Sequence, residues 1–233
     1  MALILHIETS TNVCSVALSL DGNILFSKIE RKGLSHAALI GPFGDEALKV
    51  AQQHGLKIDA VAVSSGPGSY TGLRIGVSAA KGICYALHVP MIAVPTLALI
   101  VDMCVRTRNL PEKARIRPVL DARRMEVYTG LYGSDGSSLG PTEALVVMED
   151  SFDKELSAGP VFFVGNGAKK LRTVLKSENA IFDEDLQPLA EAMMPLAEKA
   201  FSESLFVNVA YFEPFYLKEF VATVSKKHII PGH

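Results

Sequence analysis

The sequence predicts an α/β protein built of two related halves, and three recurrences predict it. A short apolar run ends in an acid twice, at Leu3–Glu8 and at residues 117–121. An Asp-Gly turn follows an alternating run twice, at Asp21-Gly22 after residues 14–20 and at Asp135-Gly136 after residues 125–132. A buried run leads through glycines into a helical pattern twice, near residues 59–72 and 161–168. The copies share little identity, so what repeats is architecture.

The first half is assigned residues 1–108. Leu3–Glu8 reads as a buried strand, and Cys14–Leu20 alternates like a second. Asp21-Gly22 is a strong hairpin signal, and residues 24–29 complete a meander. Leu39, Phe43, Ala47 and Val50 repeat at spacings of three and four, which predicts an amphipathic helix over residues 35–54. Pro42 interrupts it. A proline inside a helix costs about 3 kcal/mol, so a kink or a fresh start near Asp45 is expected. A strand over 59–64, a loop over 66–72, a helix over 73–87 and a strand over 91–94 come next. Pro95 then opens a helix that ends near Arg108. Residues 109–112 read as a linker into the second half, 109–233. That half holds a strand at 117–121, an alternating run at 125–132, a strand at 161–164, and a helix over 168–175 after Gly165-Asn166-Gly167. Two such halves facing a cleft are the plan of the actin-like ATPase (ASKHA) and sugar-kinase folds.

Composition narrows the function classes. With 233 residues, 48% of them hydrophobic, the chain can bury sizeable cores. A net charge of −2 gives no global pull toward nucleic acid or acidic lipid. Cys14, Cys84 and Cys104 are odd in number and widely spaced, which suits reduced thiols in a cytoplasmic protein. Glu8 breaks the first apolar run, so that run reads as a strand and not a leader. The apolar run 89–101 contains Pro90 and Pro95 and is too short to span a bilayer, so no membrane segment is expected. None of the six histidines pairs as His-x-x-x-His, which argues against zinc.

Three sets of residues carry the candidate chemistry. Gly66, Gly68, Ser69 and Gly72 form a candidate phosphate loop, because glycines permit close approach and a helix start favours an anion. Against this, Pro67 lacks an amide donor, no Gly-Lys-Ser/Thr is present, and a plain strand-to-helix turn also wants glycine. Glu8 and Asp121 are candidate nucleotide-cleft acids that could hold Mg²⁺ on a phosphate, or simply strand-end carboxylates accepting backbone hydrogen bonds. Gly72, Gly76, Ala80 and Cys84 recur at steps of four on one helical face, widened by Ala79 and Gly82. Glycine costs about 1 kcal/mol against alanine in a helix, so something should offset it. Packing on the chain's own sheet is one reading. The other is a partner helix seated on Leu73, Gly76, Ala79, Ala80 and Cys84, joined by Leu39 and Phe43. The basic run from Arg106 to Arg124 is either a solvated face or a local patch for RNA or a partner.

Several segments together resemble a known family. Ile7-Glu8-Thr9-Ser10-Thr11, the run Gly66-Pro67-Gly68-Ser69-Tyr70-Thr71-Gly72-Leu73-Arg74-Ile75-Gly76, and Ala80-Lys81-Gly82 are similar to the glycoprotease-like family. The likeness is strongest to its bacterial non-catalytic branch, the TsaB (YeaZ) type. Leu120-Asp121-Ala122-Arg123, Glu126-Val127-Tyr128, Gly165-Asn166-Gly167-Ala168 and Pro214-Phe215-Tyr216-Leu217 fit as well. The resemblance implies an actin-like fold and a scaffold role in making threonylcarbamoyladenosine beside the tRNA anticodon. It implies pairing with a TsaD-like catalytic homologue, recruitment of a TsaE-like ATPase, and indirect contact with tRNA. In the catalytic branch a histidine pair binds metal where this chain has Thr96 and Ile100, so neither catalytic residues nor a metal site are expected. The chain is expected to hold no cofactor tightly when isolated, with ATP or ADP only at a complex interface, and to form a homodimer when alone. An ATP-dependent phosphotransferase of the actin-like or sugar-kinase type is the alternative.

Overall fold

A computed structural model describes residues 2–33 and 36–218. The chain opens with an antiparallel meander of β1 (Leu3–Glu8), β2 (Cys14–Leu20) and β3 (Asn23–Glu30). Asp21 (φ 43°) and Gly22 (φ 79°) both take left-handed backbone, the geometry that lets a two-residue turn match the strand twist. Helix α1 (His36–Gln53) crosses to β4 (Ala60–Gly66), which pairs parallel with β1. Helix α2 (Tyr70–Leu87) leads to β5 (Met91–Pro95), and α3 (Thr96–Thr107) leaves the sheet.

The second half repeats this order with shorter pieces. It comprises β6 (Arg115–Asp121), β7 (Glu126–Thr129), β8 (Tyr132–Gly133), β9 (Glu143–Val146), α4 (Asp153–Ala158), β10 (Val161–Val164), α5 (Ala168–Leu171) and β11 (Ala180–Asp183). The first sheet runs β3-β2-β1-β4-β5 and the second β9-β7-β6-β10-β11, with β8 beside β6. In each, two antiparallel neighbours flank one side of the first strand and two parallel ones the other. The architecture expected from the three recurrences is therefore present, and it is the actin-like α/β arrangement.

A shared core joins the halves. Helix α3 packs on β4, β5, β6 and β10, and Ile4, Ile92, Leu97, Ile100, Ile116, Leu120 and Val164 belong to one buried cluster. Alternation on each strand sends the other faces elsewhere. Leu5, Ile7 and Val63 meet Phe43, Ala47 and Val77 under α1 and α2, while Phe152, Phe163 and Leu171 fill the core under α4 and α5.

Of the kink or fresh start expected at Pro42, the fresh start near Asp45 needs correction: helix α1 is one element through Pro42. Pro42 is exposed, and so is Ala38, whose carbonyl loses its amide partner to the ring but stands where solvent can reach it. The end of the described chain returns to the first half. After β11 comes a 3-10 turn (Glu191–Met193) and then α6 (Met194–Ser202), which packs on β1 and β5. Val207 bridges to Met91, and the Phe215 amide donates to the Ser65 carbonyl at 2.7 Å. The last described residues thus return to the first sheet. Among the described residues no helix is long and apolar enough to cross a membrane.

Candidate functional site

The ends of β1 and β6 open into a cleft of about 470 Å³. Ser10, Thr11, Gly68, Ser69 and Thr71 line one wall; Asp121, Arg123, Tyr128 and Asn166 line the other. The segment from Phe215 to Lys218 borders it, with the Tyr216 ring 4.7 Å from that of Tyr70 and Lys218 Nζ 2.6 Å from Glu126 Oε2. The fold thus brings the loop over 66–72 and Asp121 to one cavity.

The two candidate acids do not act together. Glu8 is fully buried behind that wall and is not among the residues lining the cleft. Its carboxylate accepts from the Ser10 amide at 2.5 Å and from the Ser64 hydroxyl. Burial pushes its pKa up, against the lowering effect of those bonds with Ser10 and Ser64. Asp121 faces the cleft, but Lys170 Nζ lies 2.6 Å from its Oδ1, and the Arg123 amide donates to the same oxygen at 2.9 Å. The Asp121 amide donates to Asn166 Oδ1 at 2.9 Å. Lys170 further donates to the Arg124 carbonyl at 2.9 Å and to that of Glu126, so it ties down the whole turn after β6. One acid turned inward and one already neutralised do not fit a Mg²⁺-phosphate clamp, and no step is derived through one.

The glycines of the loop serve close packing. A Cβ on Gly68 would lie 2.5 Å from the Ser10 carbonyl oxygen, and one on Gly72 would overlap that of Thr9. The Phe215 carbonyl would sit 2.6 Å from a Cβ on Gly66. The Ser69 amide already donates to the Ser10 carbonyl at 2.7 Å, and the Ser69 hydroxyl caps α2 by accepting from the Gly72 amide at 3.2 Å. Of the four candidate phosphate-loop residues, Gly68 and Ser69 reach the cleft, whereas Gly66 and Gly72 do not.

The helical strip divides in the same way. Leu73, Gly76, Ala80, Cys84 and Phe43 are all buried within this chain, which corrects their assignment to a partner surface. The offset for Gly76 is Thr9: its Oγ1 occupies the space of a Gly76 Cβ and donates to the Gly72 carbonyl at 2.8 Å. Leu39 and Ala79 are half-buried. The outer face of α2 instead presents Arg74, Ser78, Gly82 and Tyr85, the last 80% exposed. The basic run does not form one patch. Arg108 pairs with Asp183 at 2.7 Å, and buried Arg117 bridges Glu143 and Glu155 at 3.1 and 2.6 Å.

Thr96 and Ile100 are fully buried in the shared core. Among the described residues no group of three or more His, Cys, Asp or Glu side chains could hold a metal ion. His6, with Nε2 2.7 Å from Ser19 Oγ, is held down to about pKa 3 by burial alone. The residue that reading by motif missed is Lys170. A lysine two residues into a short helix has no signal of its own; its role appears only when β6 and α5 meet.

Comparison with known proteins settles the family. The sequence model of TsaD, tRNA N6-adenosine threonylcarbamoyltransferase, matches residues 30–226. The tRNA threonylcarbamoyladenosine biosynthesis protein TsaB of Escherichia coli is 33% identical over 225 residues, covering 94% of this chain and 96% of that one. The chain belongs to the TsaB family. The solved structure of YeaZ from Pseudomonas aeruginosa agrees, with a TM-score of 0.77, 29% identity, and coverage of 93% of this chain and 100% of that one. A tRNA N6-adenosine threonylcarbamoyltransferase of Carboxydothermus hydrogenoformans is 38% identical over 108 residues, covering 40% of this chain and 32% of that enzyme. Membership in the TsaB family thus comes with a measurable kinship to a transferase.

Proposed function

We propose that this chain is the non-catalytic partner of a TsaD-like transferase in tRNA threonylcarbamoyladenosine synthesis, and that it pairs through the outer faces of α1 and α2. A TsaE-like ATPase joins that pair, tRNA is reached through the complex, and ATP or ADP is held at a shared interface. The same outer face makes a homodimer when the chain is alone.

Gly41 and Gly82 carry this reading. Both stand on exposed helical positions with nothing within 4 Å of where a Cβ would lie. Each costs about 1 kcal/mol against alanine, and unlike Gly76 neither is offset by a contact among the described residues. Close approach of a second helix would offset it. The internal pairing of Asp121 and the burial of Glu8, Thr96 and Ile100 support the absence of catalysis by this chain alone.

Reconstitution tests the proposal. The chain, the TsaD-like and TsaE-like proteins, threonylcarbamoyl-adenylate, ATP and unmodified tRNA are combined and then omitted one at a time. Tandem mass spectrometry of the digested tRNA reads the product. The modified nucleoside is expected only when this chain and the TsaD-like protein are both present. Full modification without this chain, or any by this chain alone, overturns the proposal.

A further inference from the structure

A second cavity, of about 380 Å³, lies outside the cleft between the outer face of α2 and the segment 212–216. Tyr70, Arg74 and Lys81 line it from the helix, and Phe212, Glu213 and Tyr216 from the segment. The Tyr70–Tyr216 ring pair borders both cavities. The Arg74 guanidinium lies 5.7 Å over the Tyr70 ring, and Lys81 Nζ donates to the Ala210 carbonyl at 3.1 Å.

Arg106, Arg108, Arg117, Lys170 and Lys218 each hold a carboxylate within salt-bridge distance. Among the described residues neither Arg74 nor Lys81 has one, although Glu213 borders the same groove. What sets the two cations apart is their shared place on one aromatic-walled groove, since other described cations, such as Arg115, Lys154 and Lys199, are likewise without a carboxylate partner. Seven residues of α-helix rise about 10 Å, so the two side chains leave the helix two turns apart along one groove. Aromatic walls exclude water from a bound segment, and charge-assisted hydrogen bonds are about twice as strong as neutral ones.

We infer that this groove receives an acidic segment of the pairing protein, with one carboxylate on Arg74 and a second on Lys81. The inference rests on the pairing proposed above and assigns it an electrostatic anchor. Arg74 offers a planar fork that grips a carboxylate with two bonds; Lys81 offers a point charge. A protein occupant is favoured over a nucleic-acid strand, because two cations are too few for a phosphate track. The groove is also continuous with the face that bears Ser78 and Gly82.

The test is titration calorimetry of the full chain with the TsaD-like protein, at low and at physiological salt. The double variant Arg74→Glu, Lys81→Glu is expected to bind at least tenfold more weakly, with an unchanged melting temperature. Arg74→Lys with Lys81→Arg keeps most of the affinity. A fluorescent anticodon stem-loop RNA, measured in parallel, is expected to respond equally to wild type and variant. Unchanged affinity for the TsaD-like protein in the reversed variant overturns the inference, and so does a loss confined to the RNA. Gly82→Leu separates the two levels. If it abolishes pairing while the charge reversal does nothing, the groove assignment alone falls; if neither variant matters, the pairing face falls with it.

Discussion

In the first half, Gly68 and Gly72 press against the backbone of Ser10 and Thr9, just past the end of β1. In the second half, Gly165 and Gly167 press against Val119 of β6, with a Gly165 Cβ 2.6 Å from its carbonyl oxygen. Both glycine turns thus let a helix start lie directly on the first strand of its own half. The halves differ in the helix that each turn begins. Helix α2 runs for 18 residues and shows an outer face; α5 runs for 4. The acids differ too, since Glu8 is sealed inside while Asp121 opens to the cleft and is neutralised by Lys170. The turns are structural in both halves, and what is particular to the first half is the long helix.

The largest effect that would break this comparison is at Gly76. Replacing it with leucine forces a side chain into Thr9 and should cost about 3 kcal/mol or more, read from urea unfolding. A Gly76→Leu chain of normal stability would show that this face is not packed. Gly165→Ala sharpens the parallel: it combines a backbone clash with a φ of 115°, and a loss of about 2 kcal/mol is expected. A neutral result there would leave the two turns unlike each other. Lys170→Met should cost less, about 1–2 kcal/mol, because it releases one carboxylate and two carbonyls that water can partly reach.

The smallest effect is at Glu8. Its folded pKa lies above its ordinary value of 4.5, so the folded state binds more protons than the unfolded one as pH rises through that range. Stability from this group is therefore greatest below about pH 4.5 and falls as pH rises toward the folded pKa. A glutamine amide cannot ionise, so Glu8→Gln should remove that fall, and the variant's stability relative to wild type should improve from pH 5 to pH 8. Urea midpoints at the two pH values check this, and a variant that loses ground at pH 8 would mean the carboxylate charge is needed.

Much of the architecture is legible in the sequence because its signals are local. Alternation, Asp-Gly turns and apolar runs ending at Glu8 and Asp121 mark the strands, and their recurrence marks the two halves. What the sequence does not carry is which neighbour a face meets. Steps of four place Gly72, Gly76, Ala80 and Cys84 on one side of α2, but the group that fills the groove beside Gly76 comes from Thr9, in the loop just past β1. Gly82 belongs to the same composition and the opposite environment. The return of α6 and Phe215 to the first sheet is equally silent, because no local pattern states where a helix docks. Pro42 bears on a different limit: a local rule that predicts a fresh start near Asp45 yields where the proline is exposed on a continuous helix.

The most direct measurement is size-exclusion chromatography with light scattering on the Gly82→Leu chain co-expressed with the TsaD-like protein. The variant should keep wild-type melting behaviour and elute apart from that protein, while wild type elutes with it as a pair. An intact complex of wild-type mass and stoichiometry from the Gly82→Leu chain would contradict the account.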